Sequence, residues 1–463
     1  MAGQNKTGKE QISFDRIRKI TSDKNSTVHF IGIGGVSMYS LACIAMLRGA
    51  RVSGSDREES ERTKKLAEKG ALISIGHSTE NIADASLVVY THAISPDNIE
   101  LWEAQRRAVP IVSRAEFMGA MMLGYSNRIG ISGSHGKSTT VAMLDCIMSH
   151  AGTDPTVLSG ADLSMGEPLK VGSDQLMIYE ACEYKDSFLR FSPTISVGLN
   201  LELDHTDYFS SLDEMKQSFT KALGKASSVS VISGDDENLR RIMKNIKTRV
   251  VTFGSRYDND YQYRITSFRD HGFEFSLSRF GSEIGRLEIN LYGVFNVHNA
   301  VAAAVAALEY GIDFSVIYES LKEFSGISRR LELIGRRFLR PIYYDYAHHP
   351  TEIAAAINAM KMAEHEQITV IFRPHTYTRT QSLWQELIHA LSLADYLVLT
   401  DIYPAREKPI SGITSERLAR EISHGAVCIK DGEVVNYVDQ HTHGIILLMG
   451  AGDVEKIKKD LLD

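Results

Sequence analysis

The feature that most constrains the fold of this chain is the stretch at residues 127–140, NRIGISGSHGKSTT. It has the pattern of a short apolar strand, a glycine-rich loop and the first turn of a helix. In such a loop the backbone N–H groups turn toward an anion, and the helix N-terminus adds partial positive charge. Lys137 and Ser138 would then supply a phosphate contact and a hydroxyl for Mg²⁺. The stretch therefore predicts a nucleotide-phosphate loop of the tight form G-x-x-G-K-S, since an ordinary turn would explain neither the lysine nor the hydroxyls behind it.

Strand and helix patterns alternate along most of the chain, which predicts α/β domains built on parallel sheets. A length of 463 residues suffices for about three domains of roughly 150 residues each. Between residues 261 and 293 the apolar residues recur with period two, which predicts an antiparallel excursion. We interpret residues 1–26 as a flexible leader with a short helix near 14–20, 27–124 as an N-terminal Rossmann-like domain, 125–325 as a central P-loop ATPase-type domain and 326–463 as a C-terminal Rossmann-like domain.

Charge and hydropathy exclude two classes of protein. A formal net charge of −7 argues against a nucleic-acid binder, for which a basic surface is expected. No uninterrupted apolar run reaches the roughly 18 residues of a membrane span, and the N-terminus has no signal-peptide core. The four cysteines are scattered without a C-x-x-C pair, which favours free thiols over a cysteine zinc site or disulfides. We therefore expect a cytoplasmic protein that binds small molecules, with no membrane or nucleic-acid partner.

A second glycine-rich turn follows the first predicted strand. Gly32-x-Gly34 precedes Asp56 by about twenty residues, the spacing of a dinucleotide-binding fingerprint. Ser37 stands where the third glycine belongs, so the pattern indicates only a pyrophosphate at a helix N-terminus. NAD and a nucleotide-sugar diphosphate both fit this pattern, and we favour the latter.

The predicted central domain carries further polar residues where strands end and a helix begins. Glu180, with a second acid at Glu183, ends a strand that neighbours the phosphate loop, where nucleotide enzymes place a magnesium ligand. His205 follows the next strand and is a candidate second metal ligand. Asn296 and Asn299 share one face at the start of an Ala/Val helix. Helix capping would explain one of these asparagines and leaves the other for a ligand.

The predicted C-terminal domain carries polar residues at three successive strand ends. Ligands of open α/β sheets bind at the carboxyl ends of strands, so three such ends together predict a binding site. The residues are Asp345, Tyr346, His348 and His349; Arg373, His375 and Arg379; and Asp401, Arg406 and Lys408.

The order of motifs from about Val28 to the C-terminus resembles that of the Mur ligase family. DYAHHPTE and PHTYTRT resemble the alanine-adding branch of that family, whereas later ligases of the pathway are similar mainly in the central domain. The nine motifs are GIGGVSM, GSHGKSTT, EACEYKDSF, LELDH, NVHNA, SRRLE, DYAHHPTE, PHTYTRT and GAGD.

This resemblance implies an ATP-dependent, amide-forming ligase of peptidoglycan precursor synthesis. An alanine-adding member would join L-alanine to the lactyl carboxylate of UDP-N-acetylmuramate through an acyl phosphate, with ATP and Mg²⁺ or Mn²⁺. It would act as a monomer or weak homodimer. Two other interpretations stay open: a recycling ligase that adds a preformed peptide, and a non-catalytic nucleotide-binding regulator on the same fold.

The resemblance also assigns residues from all three domains to one site. Thr376 stands where many relatives have an arginine in the amino-acid pocket. The implied UDP-sugar contacts are Gly32, Gly34, Gly35, Asp56, His77 and Ser95, and the implied ATP contacts are Gly133, Ser134, His135, Gly136, Lys137, Ser138, Thr139, Asn296, Asn299, Arg330 and Asp345. The implied metal ligands are Ser138, Glu180 and His205, the amino-acid contacts are Tyr346, His348 and Arg379, and the catalytic residues are Lys137, His205, Arg330 and His348.

Overall fold

The protein has a three-domain α/β fold with one sheet in each domain. The structure, a computed structural model, describes residues 12–463 except 164–165, 206–207, 270, 365, 406, 423–424 and 453. Two sequence features lie outside the described residues, namely Arg406 and Asp453 of the GAGD motif. Within the described part of the chain, no helix combines the length and apolar character needed to cross a membrane.

The N-terminal domain contains a five-stranded parallel sheet, as the sequence predicts. Its strands are β1 (Thr27–Ile31), β2 (Arg51–Asp56), β3 (Leu72–Ile75), β4 (Leu87–Tyr90) and β5 (Ile111–Ser113), and its helices are α1 (Phe14–Thr21), α2 (Val36–Arg48), α3 (Glu61–Glu68), α4 (Ile99–Arg106) and α5 (Arg114–Met122), with a 3-10 helix at Thr79–Ile82. The strand order is β3-β2-β1-β4-β5. The apolar run TVHFI forms the middle strand and is buried throughout, because helices cover both faces of the sheet.

Helix α1 confirms the short helix predicted in the leader. Ser13 caps it by accepting a hydrogen bond from the Arg16 amide. Ile17 is fully buried in the apolar core that the N-terminal domain shares with one face of the central sheet. This part of the leader, predicted to be flexible over residues 1–26, therefore packs on the domain, whereas residues 1–11 lie outside the described residues.

The central domain is built on a ten-stranded sheet. Its strands are β6 (Asn127–Ser132), β7 (Thr156–Leu158), β8 (Leu169–Lys170), β9 (Leu176–Glu180), β10 (Ile195–Gly198), β11 (Val229–Ser233), β12 (Val250–Gly254), β13 (Tyr261–Arg269), β14 (Gly272–Arg279) and β15 (Ser282–Ile289), and its helices are α6 (Lys137–His150), α7 (Leu212–Leu223), α8 (Glu237–Met243), α9 (Val294–Tyr310) and α10 (Phe314–Glu323), with a 3-10 helix at Tyr184–Arg190. The order is β15-β14-β13-β12-β11-β10-β6-β9-β7-β8. Strands β13 to β15 pair antiparallel, which confirms the predicted excursion.

The C-terminal domain has a six-stranded sheet. Its strands are β16 (Glu332–Arg337), β17 (Arg340–Asp345), β18 (Ile368–Phe372), β19 (Tyr396–Leu399), β20 (Val427–Cys428) and β21 (Ile445–Met449), and its helices are α11 (Pro350–Glu364), α12 (Tyr377–Ser382), α13 (Trp384–Leu391), α14 (Ser415–Glu421), α15 (Val434–His441) and α16 (Glu455–Leu462), with a 3-10 helix at Asp431–Glu433. The order is β16-β17-β21-β18-β19-β20, and only the β16–β17 pair is antiparallel. The described polar residues singled out in the sequence lie at or after the carboxyl ends of β17, β18 and β19, as predicted.

Candidate active site

The phosphate loop lies at the carboxyl end of β6, which pairs in parallel with β9 on one side and β10 on the other. Gly136 caps α6 with a φ of +82°, a backbone conformation that L side chains rarely adopt. A Cβ at this position would also collide with Asn299 Oδ1. The loop thus needs glycine for its backbone and for the close approach of α9.

Lys137 is held inside the loop by a buried carboxylate. Its Nζ donates to the Gly133 and Ser134 carbonyl oxygens and lies 3.2 Å from each carboxylate oxygen of Glu183. Although burial opposes the charged form, the Glu183 carboxylate raises the pKa of Lys137 above its ordinary value. Lys137 is therefore a fixed cation at the position where a nucleotide phosphate would sit.

The predicted metal ligands surround this lysine. The Ser138 hydroxyl belongs to the first turn of α6, and Glu180 pairs with Ile131 at the end of the neighbouring strand. In this structure Glu180 accepts hydrogen bonds from Ser159 Oγ at 3.1 Å and from the Gly160 amide at 2.6 Å. His205 Nε2 lies 3.4 Å from Glu183. Ser138 and Glu180 offer the oxygen donors that Mg²⁺ or Mn²⁺ prefers, and His205 would add one imidazole nitrogen.

Most of the predicted ATP contacts line one cavity of about 310 Å³ between the central and C-terminal domains. The two asparagines are buried and linked, since Asn299 Nδ2 donates to Asn296 Oδ1 at 3.2 Å. Asn296 Nδ2 in turn donates to the Tyr292 carbonyl oxygen. The predicted contacts in the lining are His135, Gly136, Thr139, Asn296, Asn299, Arg330 and Asp345.

Asp345 fixes the segment that brings Arg330 to this cavity. Its carboxylate accepts hydrogen bonds from the Leu331 amide at 2.8 Å and the Ala347 amide at 2.7 Å. Burial raises the pKa of Asp345 to about 6, although the Arg330 charge opposes this shift. Arg330 lies over the Tyr346 ring, 5.8 Å from its centroid. The C-terminal domain thus contributes the Arg330 cation and the Asp345 carboxyl group to a cavity that is otherwise lined largely by the central domain.

A second interdomain cavity, of about 320 Å³, holds Arg379. The guanidinium donates to Asp204 Oδ1 at 3.3 Å and to His375 Nδ1 at 3.2 Å. His205 and Glu407 also line it. Of the predicted amino-acid contacts, the structure places Arg379 in this lining, whereas Tyr346 and His348 lie outside it.

His348 lies behind this cavity, its ring centroid 6.0 Å from that of His375. Burial lowers the pKa of His348 to about 4, so the ring is neutral near pH 7. Its Nδ1 lies 3.1 Å from the Tyr346 carbonyl oxygen, which can only accept a hydrogen bond. Nδ1 therefore carries the proton, and Nε2 is left as the acceptor.

The N-terminal domain has its own cavity of about 460 Å³ around the Gly32-Gly34-Gly35 turn. Asp56 and His77 also line it, and Asp56 Oδ2 accepts the Gly34 amide hydrogen at 2.8 Å. Ser95 lies outside this lining and donates to Asp97. Five of the six predicted UDP-sugar residues therefore share one pocket.

A buried carboxylate beneath this pocket orients His77. Glu100 is fully buried and lies 2.9 Å from His77 Nδ1, and it accepts hydrogen bonds from Ser55 and Asn81. Burial opposes its ionisation, but hydrogen bonds from His29, Ser55 and Asn81 lower the pKa of Glu100 to about 2. With Nδ1 directed to this carboxylate, the Nε2 of His77 is left for the cavity.

The UDP-sugar role that the resemblance implies for His77 predicts that His77→Ala raises the KM for the UDP-sugar about tenfold, the worth of one hydrogen bond to a charged group. The KM for ATP should stay unchanged, because the two cavities are separate. Steady-state kinetics with each substrate varied would check this, with His441→Ala on the exposed face of α15 as the control. Equal rises in both KM values would contradict a local role.

Glu202 and Glu352 hold His135 from two domains. His135 Nε2 is 3.2 Å from Glu202 Oε2, and Nδ1 is 3.1 Å from Glu352 Oε1, a residue 217 positions away in the sequence. Thr351 Oγ1 donates to Glu202 Oε2 at 2.8 Å. Burial favours the neutral imidazole, but the two carboxylates outweigh it and raise the pKa of His135 to about 9. The phosphate loop is therefore tied to the start of α11.

This arrangement predicts a pH-dependent stability. The folded pKa of about 9 exceeds the unfolded value near 6.5, so the stabilisation is complete below about pH 6.5 and is lost as pH rises toward 9. The groups that face the ring are Glu202, Glu352 and His349. We expect wild-type Tm to fall across this window by the equivalent of up to about 3 kcal/mol, and the His135→Gln variant to lose that slope. The same slope in both proteins would contradict the assignment.

The sequence interpretation gave no role to Glu202 or Glu352, although both lie within quoted motifs. Glu183 was noted as an acid but not as the partner of Lys137. Glu100 was missed altogether, because an acid in the first turn of a helix is ordinary. The LELDH and DYAHHPTE motifs were the only available signal for the first two residues.

Family comparisons agree with this architecture. The model described as "Mur ligase family, catalytic domain" matches residues 27–126, "Mur ligase middle domain" matches 131–307, and "Mur ligase, glutamate ligase domain" matches 329–454. These matches cover most of the chain. The chain belongs to the Mur ligase family.

Within that family the chain is similar to named alanine ligases. It is 40% identical over 441 residues to the UDP-N-acetylmuramate–L-alanine ligase of Aquifex aeolicus. The aligned region covers 94% of this chain and 96% of the relative. The corresponding ligase of Caldicellulosiruptor bescii is 41% identical over 437 residues, with 92% and 96% covered. Among solved structures, the UDP-N-acetylmuramate-alanine ligase of Thermotoga maritima matches with a TM-score of 0.80 at 27% identity, covering 94% of this chain and 98% of that one.

Proposed function

We propose that this protein is an ATP-dependent ligase that joins L-alanine to the lactyl carboxylate of UDP-N-acetylmuramate in peptidoglycan precursor synthesis. The observation that carries the proposal is the convergence of ATP-type residues from three distant segments on one cavity. The lining includes three residues of the phosphate-loop segment, His135, Gly136 and Thr139. Asn296 with Asn299 and Arg330 with Asp345 complete it. The names of the relatives at about 40% identity support L-alanine as the acceptor.

The chemistry requires activation of the carboxylate, because oxide is a poor leaving group. The lactyl carboxylate attacks the γ-phosphorus of ATP and ADP leaves, which gives an acyl phosphate. The amine of L-alanine then attacks the acyl carbon and inorganic phosphate leaves. Both reactants of the first step are anions, so catalysis rests mainly on charge neutralisation and alignment. Lys137 and Arg330 supply fixed positive charge on opposite sides of the domain interface.

Arg379 and His348 are assigned to the amino acid. A guanidinium can bind the alanine carboxylate through two hydrogen bonds. The second step needs a free amine, and the neutral His348 would use its Nε2 either to accept the amine proton or to orient the amine as a hydrogen-bond acceptor. The small cavity around Arg379 is the proposed alanine pocket.

A divalent cation completes the proposal. Ser138, Glu180 and His205 would hold Mg²⁺ or Mn²⁺, which when bound neutralises phosphate charge and acts as a Lewis acid. Glu180 would exchange its hydrogen bonds to Ser159 and Gly160 for this role. We also propose that the protein works in the cytoplasm, where ATP and UDP-sugars are made, as a monomer or weak homodimer.

The test is phosphate release from ATP with UDP-N-acetylmuramate, comparing L-alanine, glycine, L-serine and a preformed tripeptide with no acceptor. We expect release only when both the sugar nucleotide and L-alanine are present. Release that depends on the tripeptide would assign a recycling ligase instead. ATP binding without release under any condition would favour the regulator.

A further inference from the structure

Three metal-binding side chains meet at the interface of the central and C-terminal domains. His135 Nε2 and Glu202 Oε2 are 3.2 Å apart, and His349 Nδ1 lies 3.8 Å from the same Glu202 oxygen. The two imidazole centroids are 4.9 Å apart. One ligand atom from each of the three residues lies within 4.8 Å of the others. This group shares no residue with the predicted magnesium ligands Ser138, Glu180 and His205.

Neighbouring side chains orient two of these three ligands. The other ring nitrogen of His135 lies 3.1 Å from Glu352 Oε1. A metal bound through Nε2 would displace the proton on that nitrogen, and the ring would keep its Nδ1–H and donate it to the Glu352 carboxylate. Thr351 Oγ1 donates to Glu202 at 2.8 Å. A carboxylate behind a coordinating histidine and a hydrogen-bonded carboxylate ligand are the usual outer partners of protein metal sites.

The donor set indicates which ion would bind. Two imidazoles and one carboxylate form a common three-residue zinc set with a fourth position left open, whereas Mg²⁺ prefers oxygen ligands. Bonds of about 2.0–2.1 Å around a tetrahedral ion place ligand atoms roughly 3.3–3.5 Å apart. The 3.2 Å pair already meets this spacing, and a small shift of His349 would bring in the third ligand.

We propose that His135, Glu202 and His349 form a Zn²⁺ site that bridges the central and C-terminal domains. Two ligands belong to the central domain, and the third precedes α11 of the C-terminal domain. A bound ion would therefore hold the cleft over the ATP cavity closed. Because nucleotide exchange requires that cleft to open, Zn²⁺ at this site would inhibit turnover at saturating Mg²⁺.

The site is tested by direct binding to the nucleotide-free protein, which does not depend on the proposed ligase activity. Zn²⁺ is titrated by calorimetry and against a chromogenic chelator, and Co²⁺ is used for the visible spectrum of a four-coordinate site. We expect one equivalent at this site in the wild type and in His205→Gln, which alters the predicted magnesium site and the lining of the Arg379 cavity but none of the three proposed zinc ligands. Affinity should fall at least about 100-fold in His349→Gln and in Glu202→Gln.

Binding that survives both His349→Gln and Glu202→Gln in folded proteins, or that is lost only in His205→Gln, would overturn the proposal. Circular dichroism on each variant establishes folding, and the two variants come from different domains. A second readout rests on the proposed function. The rate of phosphate release is measured with and without Zn²⁺ at saturating Mg²⁺, and each variant is compared with its own rate in the absence of zinc. Zinc inhibition should disappear in His349→Gln. If no protein releases phosphate, the ligase proposal fails while the binding result stands.

Discussion

Replacing Lys137 with alanine is expected to lower ligation by at least about 10³-fold while leaving the fold intact. Its ammonium is the buried cation of the phosphate loop and lies among the loop carbonyls and Glu183. No described lysine is among the residues that line the neighbouring ATP cavity, and the cation Arg330 of that lining comes from the C-terminal domain, so no second lysine replaces the charge of Lys137. The measurement is single-turnover phosphate release at saturating ATP and UDP-sugar, with calorimetric Tm recorded on the same sample.

The partner of Lys137 sets the control for this experiment. Glu183 is 1% exposed, and truncating the lysine alone leaves its carboxylate buried beside His205. An unpaired buried charge costs several kcal/mol, so Lys137→Ala should lower Tm unless Glu183 is neutralised. The double variant Lys137→Ala/Glu183→Gln should recover Tm and remain inactive. A folded Lys137→Ala protein with wild-type ligation would disprove the phosphate-loop assignment.

The second large effect is expected for Arg379→Ala, which should raise the KM for L-alanine about 100-fold. Two charge-assisted hydrogen bonds from one guanidinium to the substrate carboxylate account for a loss of this size. The KM for ATP should change less than about twofold, since Arg379 lines the second interdomain cavity and not the ATP cavity. Arg379→Lys should give an intermediate KM, because a lysine ammonium cannot form the paired contact.

Arg417→Ala is the matched control for this prediction. Arg417 also pairs with a carboxylate, Glu421, and stacks on Trp384 in the same domain, but it lies outside both interdomain cavities. We expect its kinetic constants to equal those of the wild type. A KM for L-alanine unchanged in Arg379→Ala would assign the amino acid to another pocket. Equal rises in every KM would point to a disturbed interface through the lost Asp204 contact.

Local sequence patterns were sufficient for the elements and for much of the site. The glycine-lysine-serine run requires a strand, a loop and a helix in that order, and the structure has β6, the loop and α6 there. The apolar run before Glu180 likewise predicts a strand that ends at this acid, as β9 does, whereas its parallel pairing with β6 comes from the folded chain. The period-two pattern of residues 261–293 also predicts antiparallel strands, and the structure has β13, β14 and β15 there. Each of these follows from short-range geometry, in which side-chain period and strand ends fix the neighbours.

Only the tertiary structure decided which charges face one another across the domains. His135 meets Glu352 from 217 positions away, and Asp204 meets Arg379 from 175 positions away. No local pattern encodes such pairs, because they depend on how the C-terminal domain lies over the central sheet. The sequence by itself therefore determined the phosphate loop, the α/β elements and the family. The folded chain decided that Glu183 neutralises Lys137, that Glu100 orients His77 and that two histidines and a glutamate meet at the interface, since burial and charge pairing arise only once distant segments are packed together.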